Sequence, residues 1–201
     1  MPDRLAPDAA GIARAAALLL EGELVAFPTD TVYGLGCRSG DAAALARLFA
    51  AKRRPAEKAV PWLVASLDEA LASGFAADHQ ARSLAGRFWP GALTMVLPSA
   101  DGSSAQAFRI PNHPVTLALL TAAGPLAVSS ANRSGEPETH DADDVLVAFA
   151  DSDEPAAIVD GGRIGGGVAS SVVDLSGARP RLVREGALPR TEIEAVIGPI
   201  D

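Results

Sequence analysis

"AFPTDTVYGLG", residues 26–36, decides how this 201-residue chain is read. An apolar run, Leu24-Val25-Ala26-Phe27, meets Pro28 and then Thr29, Asp30, Thr31 and Tyr33, with Gly34 and Gly36 behind them. Two-residue hairpin signals such as Asn-Gly are missing, so this is not an ordinary turn between strands. Polar groups gathered where a buried strand ends are how α/β folds place ligands.

Three further segments follow the same pattern. "KRRPAEK" (52–58) crowds Lys52, Arg53, Arg54 and Lys58 into a local cationic pole, although a solvated helix C-terminus also favours cations. "AFRIPNHP" (107–114) carries Arg109 in an apolar strand, with a surface-facing arginine as the competing reading. "LAVSSANRSGEP" (126–137) ends a strand in two hydroxyls and an amide. That ending suits phosphate or carboxylate oxygens, and a plain strand-to-turn junction competes with it. Later, "DGGRIGGGVASSVVDLS" (160–176) lacks both the phosphate-loop and the dinucleotide fingerprint. It reads as a flexible lid-like loop leading into a strand that begins at Ser170 and Ser171. "LVREGAL" (182–188) sets Arg184 before Glu185-Gly186.

Around these segments helices and strands alternate. Helices are predicted over 8–21, 42–52 (N-cap Asp41), from Leu67 with a Ser66/Glu69 capping box, 78–88, 114–123, 141–149, and from Thr191 with Glu194 three residues on. Strands are predicted over 24–28, 31–37, 59–65, 92–98, 105–111, 125–130, 156–160, 171–175 and 180–185. The interleaving predicts one α/β domain over 1–201, with a core of about 10–188, a C-terminal helix at 191–198 and a mixed sheet.

Composition narrows the function classes. A hydrophobic fraction of 48% with 21% charged residues is that of a globular chain, and 4% aromatics predicts an aliphatic core. A net charge of −8 argues against a surface wholly given to nucleic acid. The single cysteine, Cys37, forms no internal disulfide and suits a reducing cytosol. The long uncharged run from Ile110 to Asn132 is broken by Pro111, Pro114, Gly124 and Pro125, so it reads as a helix then a strand, with no membrane span. No secretory signal is present, and a cytoplasmic protein is expected. G-x-S-x-G is absent, and His79, His113 and His140 lack metal-ligand spacing, so the histidines read as structural or surface residues and no protein metal site is expected. Asp143 and Asp144 read as helix caps, and Trp62, Phe88 and Trp89 as core residues.

Taken in order, "FPTDTVYGLG", "KRRP", "FWPGALTMVL", "FRIPNHP", "SSAN-SG" and "SSVVDL" followed by "VREGA" resemble the signatures of the YrdC family, the L-threonylcarbamoyladenylate synthases, over about residues 10–188. The resemblance implies a twisted α/β fold around a large concave, cationic cavity. It implies conversion of L-threonine, bicarbonate and ATP to threonylcarbamoyl-AMP and pyrophosphate, with Mg2+ accompanying ATP. The product would serve tRNA modification, with tRNA or a downstream tRNA-modification transferase as partner. By the same resemblance Lys52 and Arg54 hold phosphates as catalytic groups, and Lys58, Ser130, Asn132 and Arg184 contact the nucleotide. Thr31, Arg109, Val128 and Ser170 contact threonine. The chain departs from the family where Lys58 is followed by Ala59-Val60-Pro61-Trp62, where Leu63-Val64-Ala65 stand in place of a histidine, and in lacking room for a second C-terminal domain. Two other readings compete: a paralogue that binds nucleotide or double-stranded RNA without synthase activity, and carbamoyl transfer as in hydrogenase-maturation proteins.

Overall fold

The structure is a computed structural model that describes residues 1–53, 59–165 and 167–201. Among these residues, ten strands form one sheet in the order β1-β8-β2-β3-β7-β4-β6-β5-β9-β10. The strands are β1 (Asp3–Leu5), β2 (Val25–Phe27), β3 (Gly34–Arg38), β4 (Trp62–Leu63), β5 (Leu93–Pro98), β6 (Ala105–Arg109), β7 (Leu126–Ser130), β8 (Ala157–Val159), β9 (Ser171–Asp174) and β10 (Arg181–Arg184). The sheet is mixed: β1, β8 and β2 run parallel, β3 is antiparallel to β2 and β7, and β5 pairs antiparallel with β6 but parallel with β9.

The helices are α1 (Ala9–Leu20), α2 (Ala42–Lys52), α3 (Leu67–Ala72), α4 (His79–Phe88), α5 (Pro114–Ala123), α6 (Ala142–Ala148) and α7 (Arg190–Ile197). Most begin at a carboxylate or hydroxyl that accepts from the amide three residues on: Asp8, Asp41, Ser66, Asp78 and Asp141. Side-chain alternation along β2 explains the layering. Val25 and Phe27 face the cluster built by α1 and α5, whereas Leu24 and Ala26 face the cluster built by α2 and α6. A third cluster packs α4 and α7 against β5 and β9. A strand covered on both faces has no polar side, which is why β2 reads as a short continuous apolar run.

Several expectations need correction. β1 was not anticipated; it is three residues long, largely exposed, and finds its parallel partner in β8 some 150 positions later. The strand expected over 59–65 contracts to Trp62–Leu63. The capping box at Ser66 is displaced, because the Glu69 carboxylate accepts from the Ala65 amide. Thr191 is not a cap: α7 begins after Pro189 with no side-chain cap bond, and Glu194 instead takes contacts from Arg190 and the Ile200 amide. At α6 the cap is Asp141, while Asp144 accepts from the His140 amide and Asp143 pairs with Arg4.

Candidate active site

Sheet order brings distant segments into register. Gly34 of β3 lies opposite Ser130 of β7, Leu63 of β4 beside Arg109 of β6, and Thr94 of β5 beside Val172 of β9. A cavity of about 470 Å³ opens over this part of the sheet. Its walls include Thr31, Val128, Ser130, Arg109, Ser170 and Arg184, all six singled out from the sequence.

The opening stretch forms one wall by close approach of backbone. A Cβ on Gly34 would stand 2.8 Å from Val128 Cγ1, and one on Gly36 would stand 2.8 Å from the Phe27 ring. Only glycine lets β3 lie this close to its neighbours. Thr29 makes the turn: its hydroxyl donates to the Val32 carbonyl at 2.7 Å and lies 3.0 Å from the Thr31 hydroxyl. Tyr33 is fully buried in the cluster built by α2 and α6 and is not among the described lining residues. Its phenol donates to the Gly162 carbonyl at 2.8 Å and accepts from the Gly161 amide at 3.1 Å. The Gly167 amide donates to the Thr31 carbonyl at 3.0 Å. The described residues of the glycine-rich segment are therefore tied to the opening stretch at Gly161, Gly162 and Gly167.

Arg109 is buried in the cavity wall, with 7% of its surface exposed. Its Nε donates to the Gly91 carbonyl at 2.9 Å, Nη1 to the Thr31 hydroxyl at 3.3 Å, and Nη2 to Asp30 Oδ1 at 2.6 Å. Burial pushes its pKa below the usual arginine value, and Asp30 opposes that shift. Arginine stays charged even so. Gly91 returns its amide to the Ile110 carbonyl at 2.8 Å, and a Cβ there would collide with the Phe88 carbonyl. The turn after α4 is thus shaped to grip the guanidinium.

On the opposite wall, the Ser170 hydroxyl lies 2.9 Å from that of Thr94, and its carbonyl accepts from Arg184 Nη2 at 2.8 Å. Ser171, its neighbour, turns the other way and ties in the Gly186 and Leu188 amides. Apolar surface from Pro61, Leu63, Val96, Ala107, Val172 and Val183 completes the enclosure.

Two residues named from the sequence are not among the described lining residues. Lys52 is 1% exposed and is not among the described lining residues; its ammonium donates to the Ser130 and Asn132 carbonyls from behind the wall. A buried ammonium needs such acceptors. Asn132 also lies behind the lining, its Nδ2 donating to the Glu136 carbonyl at 2.7 Å while its buried Oδ1 has no partner among the described residues. Arg54 and Lys58 lie outside the described residues. Sequence reasoning assigned no role to Asp30, Thr94 or Glu138, the last a carboxylate at the cavity wall. Asp30 had a visible signal, a lone carboxylate between two threonines; Thr94 and Glu138 had none.

Comparison with known proteins gives this cavity its context. A threonylcarbamoyl-AMP synthase of Bacillus subtilis is 41% identical over 98% of the chain, and one of Pyrococcus abyssi is 42% identical over 92%. The chain spans 60% and 57% of the lengths of these two relatives. The crystal structure of P. abyssi Sua5 complexed with L-threonine superposes with a TM-score of 0.88 at 39% identity, covering all of this chain and 62% of that one. The family model Sua5/YciO/YrdC, described as "Telomere recombination", matches residues 17–186. The chain belongs to the Sua5/YciO/YrdC family.

Proposed function

We propose that the chain is an L-threonylcarbamoyladenylate synthase, joining L-threonine, bicarbonate and ATP into threonylcarbamoyl-AMP with release of pyrophosphate. The observation that carries this reading is the buried Arg109 fork, held by Asp30, Thr31 and Gly91 in a cavity whose far walls present Ser130, Ser170 and Arg184. The similarity to proteins named threonylcarbamoyl-AMP synthase supports it.

The reaction gathers anions. The threonine amine takes up bicarbonate, loses water and becomes a carbamate. A carbamate oxygen then attacks the α-phosphorus of ATP, and the bond from that phosphorus to the bridging oxygen of pyrophosphate breaks. No protein nucleophile is required; positioning and charge stabilisation suffice. In this reading Arg109 holds the amino-acid carboxylate, with Thr31 and Ser170 as hydroxyl contacts and Val128 as apolar backing. Ser130 and Arg184 face the nucleotide, and Lys52 and Asn132 shape the turn beside it. Lys58 and Arg54 belong to the phosphate side by sequence alone. Mg2+ would ride mainly on the ATP phosphates, neutralising their charge, and Glu138 is the carboxylate the described wall offers it. The product feeds tRNA modification, with tRNA or a modifying transferase as downstream partner. The reading places the protein in the cytoplasm; no helix among the described residues is long and apolar enough to cross a membrane.

Supplying ATP and bicarbonate with each amino acid in turn, and detecting the carbamoyl-adenylate by mass, tests the proposal. A product formed with threonine is expected. Pyrophosphate release that ignores the amino acid would refute it.

A further inference from the structure

Arg133 is a buried cation that lines no part of the cavity among the described residues. Its Nη1 donates to the Ala51 carbonyl in the last turn of α2, and its Nη2 pairs with Asp151 Oδ1. The guanidinium also stacks over the Phe149 ring, 5.3 Å from its centroid. Asp151 takes a second cation through Oδ2, Arg53 Nη2 at 2.7 Å, just where α2 ends in a left-handed residue. The Ser134 amide donates to the Lys52 carbonyl at 2.9 Å, and the Lys52 ammonium returns to the Ser130 and Asn132 carbonyls. A helix C-terminus leaves carbonyls without partners and carries partial negative charge, so a buried guanidinium is a fitting clasp.

We infer that Arg133, fixed by Asp151, is a positioning residue: it keeps the end of α2 in register with the turn after β7 and so sets the nucleotide side of the cavity. The linkage is mechanical. Arg133 and Lys52 bind each other's segments reciprocally, and Lys52 grips its segment at Ser130, which lines the cavity. Asp151 is 60% exposed, and an open ion pair alone contributes little, but Arg133 is not open: its side chain is 8% exposed. Loss of the carboxylate leaves a buried cation short of a partner, which then shifts or draws in water. The threonine side, built on Arg109, Asp30 and Gly91, shares none of these contacts.

This inference rests on the nucleotide site proposed above, and its test separates the two. ATP and L-threonine are titrated separately into the intact chain and into its Arg133→Ala, Arg133→Lys and Asp151→Asn variants, with melting temperature followed alongside. ATP affinity is expected to fall about tenfold in Arg133→Ala, in the range of coupling within one network. Asp151→Asn falls less, Arg133→Lys recovers part of the loss, and threonine affinity stays within about twofold throughout. Should Arg133→Ala fail to fold, Arg133→Lys and Asp151→Asn decide by the same ratio. Unchanged ATP affinity, or equal loss for both ligands, overturns the positioning role while leaving the synthase reading intact. An unaltered chain that binds no ATP removes both.

Discussion

Gly34 shows at the scale of one residue why the opening stretch has the composition it has. Its missing side chain lets β3 approach Val128, and the same gap forms part of the cavity wall. Gly34→Ala inserts a methyl group where Val128 Cγ1 already stands, and overpacking of this kind is expected to destabilise by about 1–3 kcal/mol. Urea unfolding checks the value, and adding Val128→Ala should restore most of it by removing the clashing methyl. Stability unchanged by Gly34→Ala would show that the strands have slack. Asp30 illustrates the limit of residue-level reading. A carboxylate between Thr29 and Thr31 is visible in the sequence, but its partner, Arg109, lies 79 positions away, so only the folded sheet reveals the pair.

Elements whose signals are local were legible, and those whose signals are distant were not. The caps at Asp8, Asp41, Ser66, Asp78 and Asp141 depend on a side chain and an amide three residues on, so α1, α2, α3, α4 and α6 fall where patterning puts them. β1 has no such signature and exists because β8 offers it an edge. The glycine-rich segment likewise reads as free in sequence because its fasteners, Tyr33 to Gly161 and Gly162 and Thr31 to Gly167, lie far back in the chain. Tyr33→Phe keeps the buried ring but removes both phenol hydrogen bonds, which is expected to cost about 1–3 kcal/mol and to speed hydrogen exchange at the Gly161 amide. Weaker threonine binding should accompany it, because the same segment supports Thr31. Unaltered exchange at Gly161 would mean that backbone contacts alone hold the loop.

Across the whole molecule, five of the six recognisable segments converge because the sheet sets β3, β7, β4, β6, β5, β9 and β10 side by side, while "KRRP" falls partly outside the described residues. No periodicity in the chain announces that order; it arises from which buried faces find cover. The compact aliphatic interior has a consequence for pH. Burial pushes the Cys37 thiol from 9.0 up to about 12, and the Tyr33 phenol from 10.0 up to about 12. Both groups therefore keep their protons in the folded state while the unfolded chain loses them, so stability is full below pH 9 and declines as pH rises toward 12. Urea midpoints measured across that window should fall, and Cys37→Ala should flatten the early part of the slope. A flat profile in the unaltered chain would contradict the burial of these two groups. The net charge of −8 coexists with Arg109 and Arg184 in the cavity wall, so an acidic chain still presents two guanidinium groups at the site.

The most direct measurement is a crystal structure of this chain with L-threonine and a non-hydrolysable ATP analogue bound together. The account predicts the threonine carboxylate on the Arg109 fork and the α-phosphate between it and the Ser130–Arg184 walls, within one hollow. Either ligand seated on another face, or threonine bound with Arg109 still wholly occupied by Asp30, would contradict it.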